Sequence, residues 1–281
     1  MEPYMNEAKE FSFGDSSVAH GYDSRLVPIL FVPWADRLIE ENQPWAGRSV
    51  LDLATGTGVV AQRLSEHVGP DGEVFGVDIN GEMLSLAQKR CAGSTPAVEF
   101  IECSAHPLEL TSDSLDFVVC QQGFQFFPDR GAAVGEIYRV LRGGGEVVAT
   151  TWRPVAECQF FGAICRALED IREPAIADMM RIPFDVMPGS ELPPHFESAG
   201  FVNVQLDRQE MDLVLDGGIA QAIKVSYSTP IGPKLKELPD ERQNQFRETF
   251  TGLLNELSPD GITMGRMVSN VVTAEKPTQR S

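Results

Sequence analysis

Val50-Leu51-Asp52-Leu53-Ala54-Thr55-Gly56-Thr57-Gly58-Val59-Val60-Ala61 is the stretch whose reading decides the fold. A short apolar run ends in a carboxylate, turns on two glycines, and passes into a helical pattern over 59–67. Gly56 to Ala61 fits G-x-G-x-x-A between a strand and a helix, a tight turn whose backbone a ligand can approach closely. Asp78 closes the next apolar run, over 73–77, and lies twenty residues beyond Gly58. A carboxylate there can accept hydrogen bonds from ribose hydroxyls. Loop and carboxylate together point to an adenosine-containing ligand.

Outward from this stretch, short apolar runs alternate with helical patterns, which predicts a parallel sheet flanked by helices. Gly69-Pro70-Asp71-Gly72 marks a turn, and Asn80 suits the N-cap of a helix reaching about Cys91. Further strands are expected over 97–103 and 115–120. A helix over 132–141 should stop at Gly143-Gly144-Gly145, before a fifth strand over 146–152. Beyond Trp152 the rhythm changes: a helix over 157–171, a Pro-rich loop over 183–194, and a short helix over 192–200. A strand over 201–206, a mostly helical stretch over 217–257 and a last strand over 262–274 complete the pattern. The organisation expected is a single domain over 1–281: an N-terminal helical lid (1–45) and a cofactor-binding core (46–155). Helical and loop additions (156–194 and 209–261) should lie near the acceptor site, with the last sheet strands at 195–208 and 262–275.

Bulk properties narrow the function. The 281 residues carry 41 acidic against 23 basic side chains, a formal charge of −18, which repels phosphate backbones and anionic lipid heads. Nucleic-acid partners are therefore not expected, and membrane insertion is not expected because no apolar run approaches the length needed to span a bilayer. The five cysteines are odd in number and form no C-x-x-C pair, which suits reduced thiols in a cytoplasmic protein. The first ten residues are polar and do not read as a signal peptide. No H-E-x-x-H or paired Cys motif suggests a metal, and no G-x-S-x-G elbow suggests a serine hydrolase.

Asp52 separates one adenosine ligand from another. A pyrophosphate over the helix N-terminus favours an uncluttered, anion-accepting loop, and a carboxylate at the end of the first strand works against it. A cationic ligand suits it better, and S-adenosyl-L-methionine carries both an ammonium and a sulfonium; a turn or N-cap role for Asp52 is the structural alternative. At this point a resemblance is plain. The first motif, Val50 to Gly58, is joined in order by Gly76-Val77-Asp78-Ile79-Asn80, Ser114-Leu115-Asp116-Phe117-Val118-Val119, Phe127-Pro128-Asp129 and Arg139-Val140-Leu141-Arg142-Gly143-Gly144-Gly145. Together they resemble the class I S-adenosylmethionine-dependent methyltransferases, in the branch of the ubiquinone and menaquinone biosynthesis methyltransferases. The likeness runs from about residue 16 to 153.

The resemblance implies an α/β, Rossmann-like doubly wound sheet, mostly parallel with an antiparallel C-terminal strand, plus helical additions. It implies that Asp52, Ala54, Thr55, Gly56 and Gly58 line the methionyl end of the cofactor. Asp78 would hold the ribose, Ile79 would pack on the adenine with Met83 nearby, and Ser104 and Ala105 would flank the adenine edge. Cys120 and Gln121 would sit beside the methionyl group, and Tyr22 would close over the cofactor. The product would be S-adenosyl-L-homocysteine. Three departures stand out: Ser104 where an Asp is common, Gly143 where a Pro is usual, and Phe124-Gln125-Phe126 where many relatives read Leu-His-His.

The last departure removes a ready general base. His20 is the remaining candidate, with Gln125 able to orient an acceptor oxygen but unable to take a proton. His106, His67 and His195 are expected in non-catalytic settings, His195 in a loop without a partner. Phe126, Trp152 and Arg153 are the expected acceptor contacts, and Phe124, Phe127, Phe160 and Phe161 add aromatic character. The expected activity is in-line methyl transfer to a small apolar or aromatic molecule. Alignment alone can lower the barrier by about 7–11 kcal/mol in favourable cases. A nicotinamide-dependent oxidoreductase, a cofactor-binding protein without catalysis and a nucleic-acid methyltransferase are the competing readings. Late-inserted helices in such folds build the acceptor pocket or a homodimer contact.

Overall fold

The structure, a computed structural model, describes residues 16–278. The expected features of residues 1–15, including the start of the lid, lie outside them. Seven strands form one sheet in the order β3-β2-β1-β4-β5-β7-β6. They are β1 (Ser49–Leu53), β2 (Glu73–Asp78), β3 (Val98–Glu102), β4 (Leu115–Gln121), β5 (Leu141–Trp152), β6 (Val202–Val214) and β7 (Thr263–Glu275). β1 pairs in parallel with β2 on one side and β4 on the other, and β4 pairs in parallel with β5. Backbone bonds from Gly144 N to Lys276 O and from Arg153 N to Val268 O run in opposite chain directions, so β7 lies antiparallel to β5.

The chain divides into two compact units. The first, residues 31–151, 189–207 and 270–278, holds the parallel strands. All five residues of β1 are buried, as a strand covered on both faces requires. Its helices are α2 (Val32–Glu41), α3 (Val59–Val68), α4 (Gly81–Arg90), α5 (Arg130–Val140) and α8 (Leu192–Ala199). Asn80 caps α4 as expected, its side-chain oxygen accepting from the amides of Glu82 and Met83. Asp129 does the same for α5 through Ala132 N.

The second unit comprises the described residues up to Leu30, with 152–188 and 208–269. It contains α1 (Ser16–Gly21), α6 (Gln159–Asp170), α7 (Pro174–Asp185), α9 (Gly218–Ser226), α10 (Gly232–Glu237) and α11 (Asp240–Leu257). Its core is aromatic: Phe160 packs on Phe161 and Phe250, Phe161 on Phe184, and Phe250 stacks on Phe246. Phe160 and Phe161, expected at the acceptor pocket, are core residues of this unit. A π-helical segment, Tyr22–Phe31, carries Pro28 inside it, where a residue without an N–H breaks the ordinary helical ladder.

Three sequence expectations need correction. The glycine triplet does not end α5 in a loop; β5 begins at Leu141 and runs through it, with a register shift between Leu115 and Phe117 absorbing the extra residues. A Cβ on Gly145 would lie 2.9 Å from Arg142 O, so backbone crowding demands glycine inside the strand. Residues 183–194 are not one loop, because α7 extends to Asp185 with Pro183 in its last turn, and α8 uses Pro193 and Pro194 in its first. The strand expected over 201–206 continues to Val214.

Beyond the end of β7, Lys276 is buried, its ammonium donating to Asp113 Oδ1 (2.7 Å), Tyr138 O (2.9 Å) and Leu141 O (2.7 Å). Lys276→Met removes the donor and strands two carbonyls that it serves. The substitution should lower unfolding free energy by about 2–4 kcal/mol, measured by urea denaturation; an unchanged midpoint would contradict this account.

Candidate cofactor site

β1 sits where the strand order reverses: its successor α3 leads to β2 on one side, while β4 lies on the other. In open α/β sheets, ligands bind beyond the carboxyl ends of strands at such a switch point. The loop after β1 is held there by its backbone. Ala54, Gly56 and Gly58 all have positive φ (59°, 54° and 80°), so the chain coils back within five residues. For Ala54 that conformation is costly, and it persists where surrounding structure enforces it. Space explains the glycines. A Cβ on Gly58 would come within 2.8 Å of Ala87 Cβ, whereas one on Gly56 would meet nothing within 4 Å, which leaves that face open to a ligand.

Carboxylates fix the loop from both sides. Asp78 Oδ2 accepts from Gly56 N and Oδ1 from Asn80 N, each at 2.9 Å, so one side chain ties the loop to the start of α4. Asp52 Oδ2 accepts from the Thr55 hydroxyl and from Ala61 N, capping loop and helix from beneath. The turn role considered as an alternative for Asp52 is thus present. It does not exhaust the group, since Oδ2 takes both bonds.

Electrostatics follow from burial. Asp52 is 1% exposed, and burial is the largest cause lifting its carboxyl to about 7, with the charge of Asp78 adding and the bonds from Thr55 and Ala61 opposing. Burial likewise raises Asp78, against the pull of the Asn80, Gly56 and Ile79 amides. Two carboxylates held close in a low-dielectric wall attract a cation, and a ligand bearing an ammonium and a sulfonium would favour their ionised forms.

The loop after β4 completes the edge. Gln122 has φ 56°, and a Cβ on Gly123 would lie 2.5 Å from Ala54 Cβ, so the two loops touch backbone to side chain. Gln121 donates from Nε2 to Phe31 O (3.1 Å), while its buried Oε1 has no hydrogen-bond partner. Thr57 Oγ1, in the glycine loop, is also buried without one. Such orphaned polar atoms are rare in native interiors, and here one lies in the glycine loop after β1 and the other at the end of β4, on the two sides of the switch point. They fit a zwitterionic ligand end, Gln121 as acceptor for an ammonium and Thr57 as donor to a carboxylate. Thr57 was not among the residues expected to bind; its place between the two glycines was the available signal.

The remaining expected residues scatter. Ile79 is 74% exposed, an apolar side chain left for a flat ring to cover, and Met83 is buried below. Ser104 and Ala105 are half-buried, with Ser104 Oγ accepting from His106 N. Cys120 is fully buried, and burial pushes its thiol far above the usual range, so it packs and does not react. Gln125 is buried in the Phe124–Phe126 turn, whose carbonyl at Gln125 accepts from Arg130 Nη2, and Phe126 is exposed. His195 is not a partnerless loop residue: it lies in α8 with its ring 6.0 Å from that of Phe124, edge to face. Sequence reasoning missed this contact because the two residues are far apart along the chain. His20 and Tyr22 belong to the helical unit, His20 exposed at the end of α1. Trp152 is buried against Phe184, and Arg153 pairs with Glu157 at 2.9 Å. Among the described residues no cluster of three or more His, Cys, Asp or Glu could hold a metal ion.

Comparison with known proteins gives this geometry its context. A profile of the ubiE/COQ5 methyltransferase family matches residues 16–160. The ubiquinone/menaquinone biosynthesis C-methyltransferase UbiE of Xanthomonas campestris is 32% identical over 186 residues, covering 57% of this chain and 74% of that protein. The demethylmenaquinone methyltransferase of Thermus thermophilus is 36% identical over 142 residues, covering 50% of this chain and 64% of the relative. Among solved structures, a phosphoethanolamine N-methyltransferase of Haemonchus contortus, complexed with S-adenosylhomocysteine, superposes with a TM-score of 0.55 at 16% identity. That alignment covers 88% of this chain and about half, 53%, of the other, and shows a shared fold.

Two outcomes are expected. Asp78→Ala should weaken S-adenosylhomocysteine binding 10- to 100-fold, about 1.4–2.8 kcal/mol, by calorimetry, with the far-ultraviolet spectrum unchanged. The second concerns pH. Because the Asp52 carboxyl lies at about 7 in the free protein, a cationic ligand that favours its ionised form must expel a proton below that pH. Affinity should therefore rise as pH increases towards about 7 and level off above it. Asp52→Asn should flatten the profile; a flat wild-type profile would refute the link.

Proposed function

The chain belongs to the ubiE/COQ5 methyltransferase family, and from that membership we propose a transfer of methyl groups to an apolar, quinol-like aromatic acceptor, at a ring carbon. It is an S-adenosylmethionine-dependent methyltransferase of the class I fold acting on a small organic molecule. The acceptor class is our reading, and its main support is the names borne by the aligned relatives, a ubiquinone/menaquinone biosynthesis C-methyltransferase and a demethylmenaquinone methyltransferase. The exposed Phe126 beside the switch-point loop agrees with an aromatic or apolar partner.

In this reading Asp78 holds the ribose diol, and Ile79 and Met83 flank the adenine with Ser104 and Ala105 at its edge. Asp52, Ala54, Thr55, Gly56, Gly58, Cys120 and Gln121 line the methionyl end, and Tyr22 closes over it. S-adenosylmethionine supplies an electrophilic methyl on a sulfonium. The protein's contribution is alignment and exclusion of water, which acts without a dedicated base when the acceptor arrives as a phenolate. Gln125 orients an acceptor oxygen, His20 is the candidate to take a proton, and Phe126, Trp152 and Arg153 contact the acceptor.

The setting is inferred in the same way. No helix among the described residues is long and apolar enough to cross a membrane. We infer a cytoplasmic protein that leaves nucleic acids alone because of its charge of −18, and that can form a homodimer.

Incubation with S-adenosylmethionine labelled in the methyl group tests the proposal. The panel should hold a reduced, short-chain naphthoquinol, phosphoethanolamine and transfer RNA. Label should enter the quinol as a carbon-bound methyl resolved by mass spectrometry. Transfer only to the amine or the RNA would overturn the acceptor assignment, and binding of cofactor without any transfer would overturn the catalytic one.

A further inference from the structure

The helical unit contains a cavity of about 800 Å³, within the usual range of small-molecule sites. Its walls come from α6, α7, the end of α11 and the segment 154–156 after β5, and it shares no residue with the glycine loop. The family profile ends at residue 160, so most of this lining, from Gly162 onward, lies beyond the matched region.

The chemistry of the walls is consistent throughout. Val155, Ala163 and Phe184 are buried lining residues, and Leu253 and Leu257, one helical turn apart on α11, face the space while remaining half-exposed. Small side chains hold the space open. At Gly162 a Cβ would already stand 3.1 Å from Val155 O.

Charges are confined to the rim or already satisfied. Arg181 is paired with Asp178 (2.8 Å) and with Glu169, and Asp185 accepts from Val155 N (2.9 Å). Gln159 Oε1 accepts from Arg266 N. Arg166 and Glu256 are exposed and opposite in sign, so the rim has no net charge to offer. Cys165 turns its thiol to Ala177 O, and burial raises it to about 12, which makes it packing and not a nucleophile. A charged ligand inside would lose its hydration without compensation, whereas an apolar one would cover Leu253 and Leu257.

We propose that this cavity binds an uncharged, mainly apolar small molecule, a ring system or short hydrocarbon chain. Such a molecule could be the methyl acceptor itself or a separate ligand, and the two sources are separable by experiment.

The test uses the full chain and the uncharged fluorophore N-phenyl-1-naphthylamine. Saturable binding at one probe per chain is expected, with Leu253→Trp and Leu257→Trp, which fill the cavity from its half-exposed side, each weakening it at least tenfold. Unchanged S-adenosylhomocysteine binding and melting temperature would show that the variants fold. Glu256→Gln should leave probe binding as it is. Non-saturable binding, equal binding by both tryptophan variants, or equal affinity for the sulfonated analogue 1-anilinonaphthalene-8-sulfonate would overturn the proposal. In methyl-transfer assays, a raised KM for the acceptor at unchanged KM for S-adenosylmethionine in Leu253→Trp would identify the acceptor as occupant. Unaltered kinetics with lost probe binding would identify a separate ligand. The probe titration needs no methyl transfer, so its failure and that of the acceptor assignment are distinguishable.

Discussion

One side chain joins the parts on which the cofactor site depends. Asp78, at the end of β2, receives the amide of Gly56 on one oxygen and that of Asn80 on the other. The first bond holds the glycine loop in its left-handed path, and the second fixes the entry to α4. Without it, the loop would keep Thr55 N to Val77 O, the Asp52 contacts and the Arg90 bond to Thr57 O, but nothing among the described residues would hold Gly56. In the proposed reading the same carboxylate receives the ribose, so the group that builds the site would also be the group that reads the ligand. A loop tied down by these bonds before a ligand arrives has less conformational freedom to lose on binding.

The second constraint is electrical. Asp52 and Asp78 are pushed upward together by burial, and the charge of Asp78 raises Asp52 further. In a dinucleotide site such an arrangement would oppose the pyrophosphate. With a cationic cofactor it becomes attraction, and the cost of burying two acids is offset when the ligand arrives. The orphaned oxygens of Gln121 and Thr57 extend the argument from charge to hydrogen bonding, because each leaves one polar demand that a zwitterion can meet.

What the sequence carried legibly was local. The apolar run into Asp52, the glycine spacing, the cap at Asn80 and the carboxylate at Asp78 all act through neighbours in the chain, and the structure reproduces them. The late region was harder for the same reason. Gly143-Gly144-Gly145 looks like a stop signal, yet it sits in β5 because the chain just past β7, more than a hundred residues later, supplies the partner bonds at Lys276. Pro183 suggested a loop, but it falls in the last turn of α7, where its missing N–H forfeits a single helical bond and the helix ends two residues later. His195 meets Phe124 only because α8 packs beside α5, a contact no spacing announces. Aromatic residues were the least legible of all. Phe160 and Phe161 form the core of the helical unit, while Phe126 stays exposed, and composition alone cannot separate these fates.

The most direct measurement of the central claim is a crystal structure with S-adenosylhomocysteine bound. The account predicts the ribose hydroxyls on Asp78, the adenine over Ile79, and the ammonium within hydrogen-bond reach of Gln121 Oε1. A ligand seated away from the loop between β1 and α3, or one whose ammonium avoids the Asp52 side of the site, would contradict it.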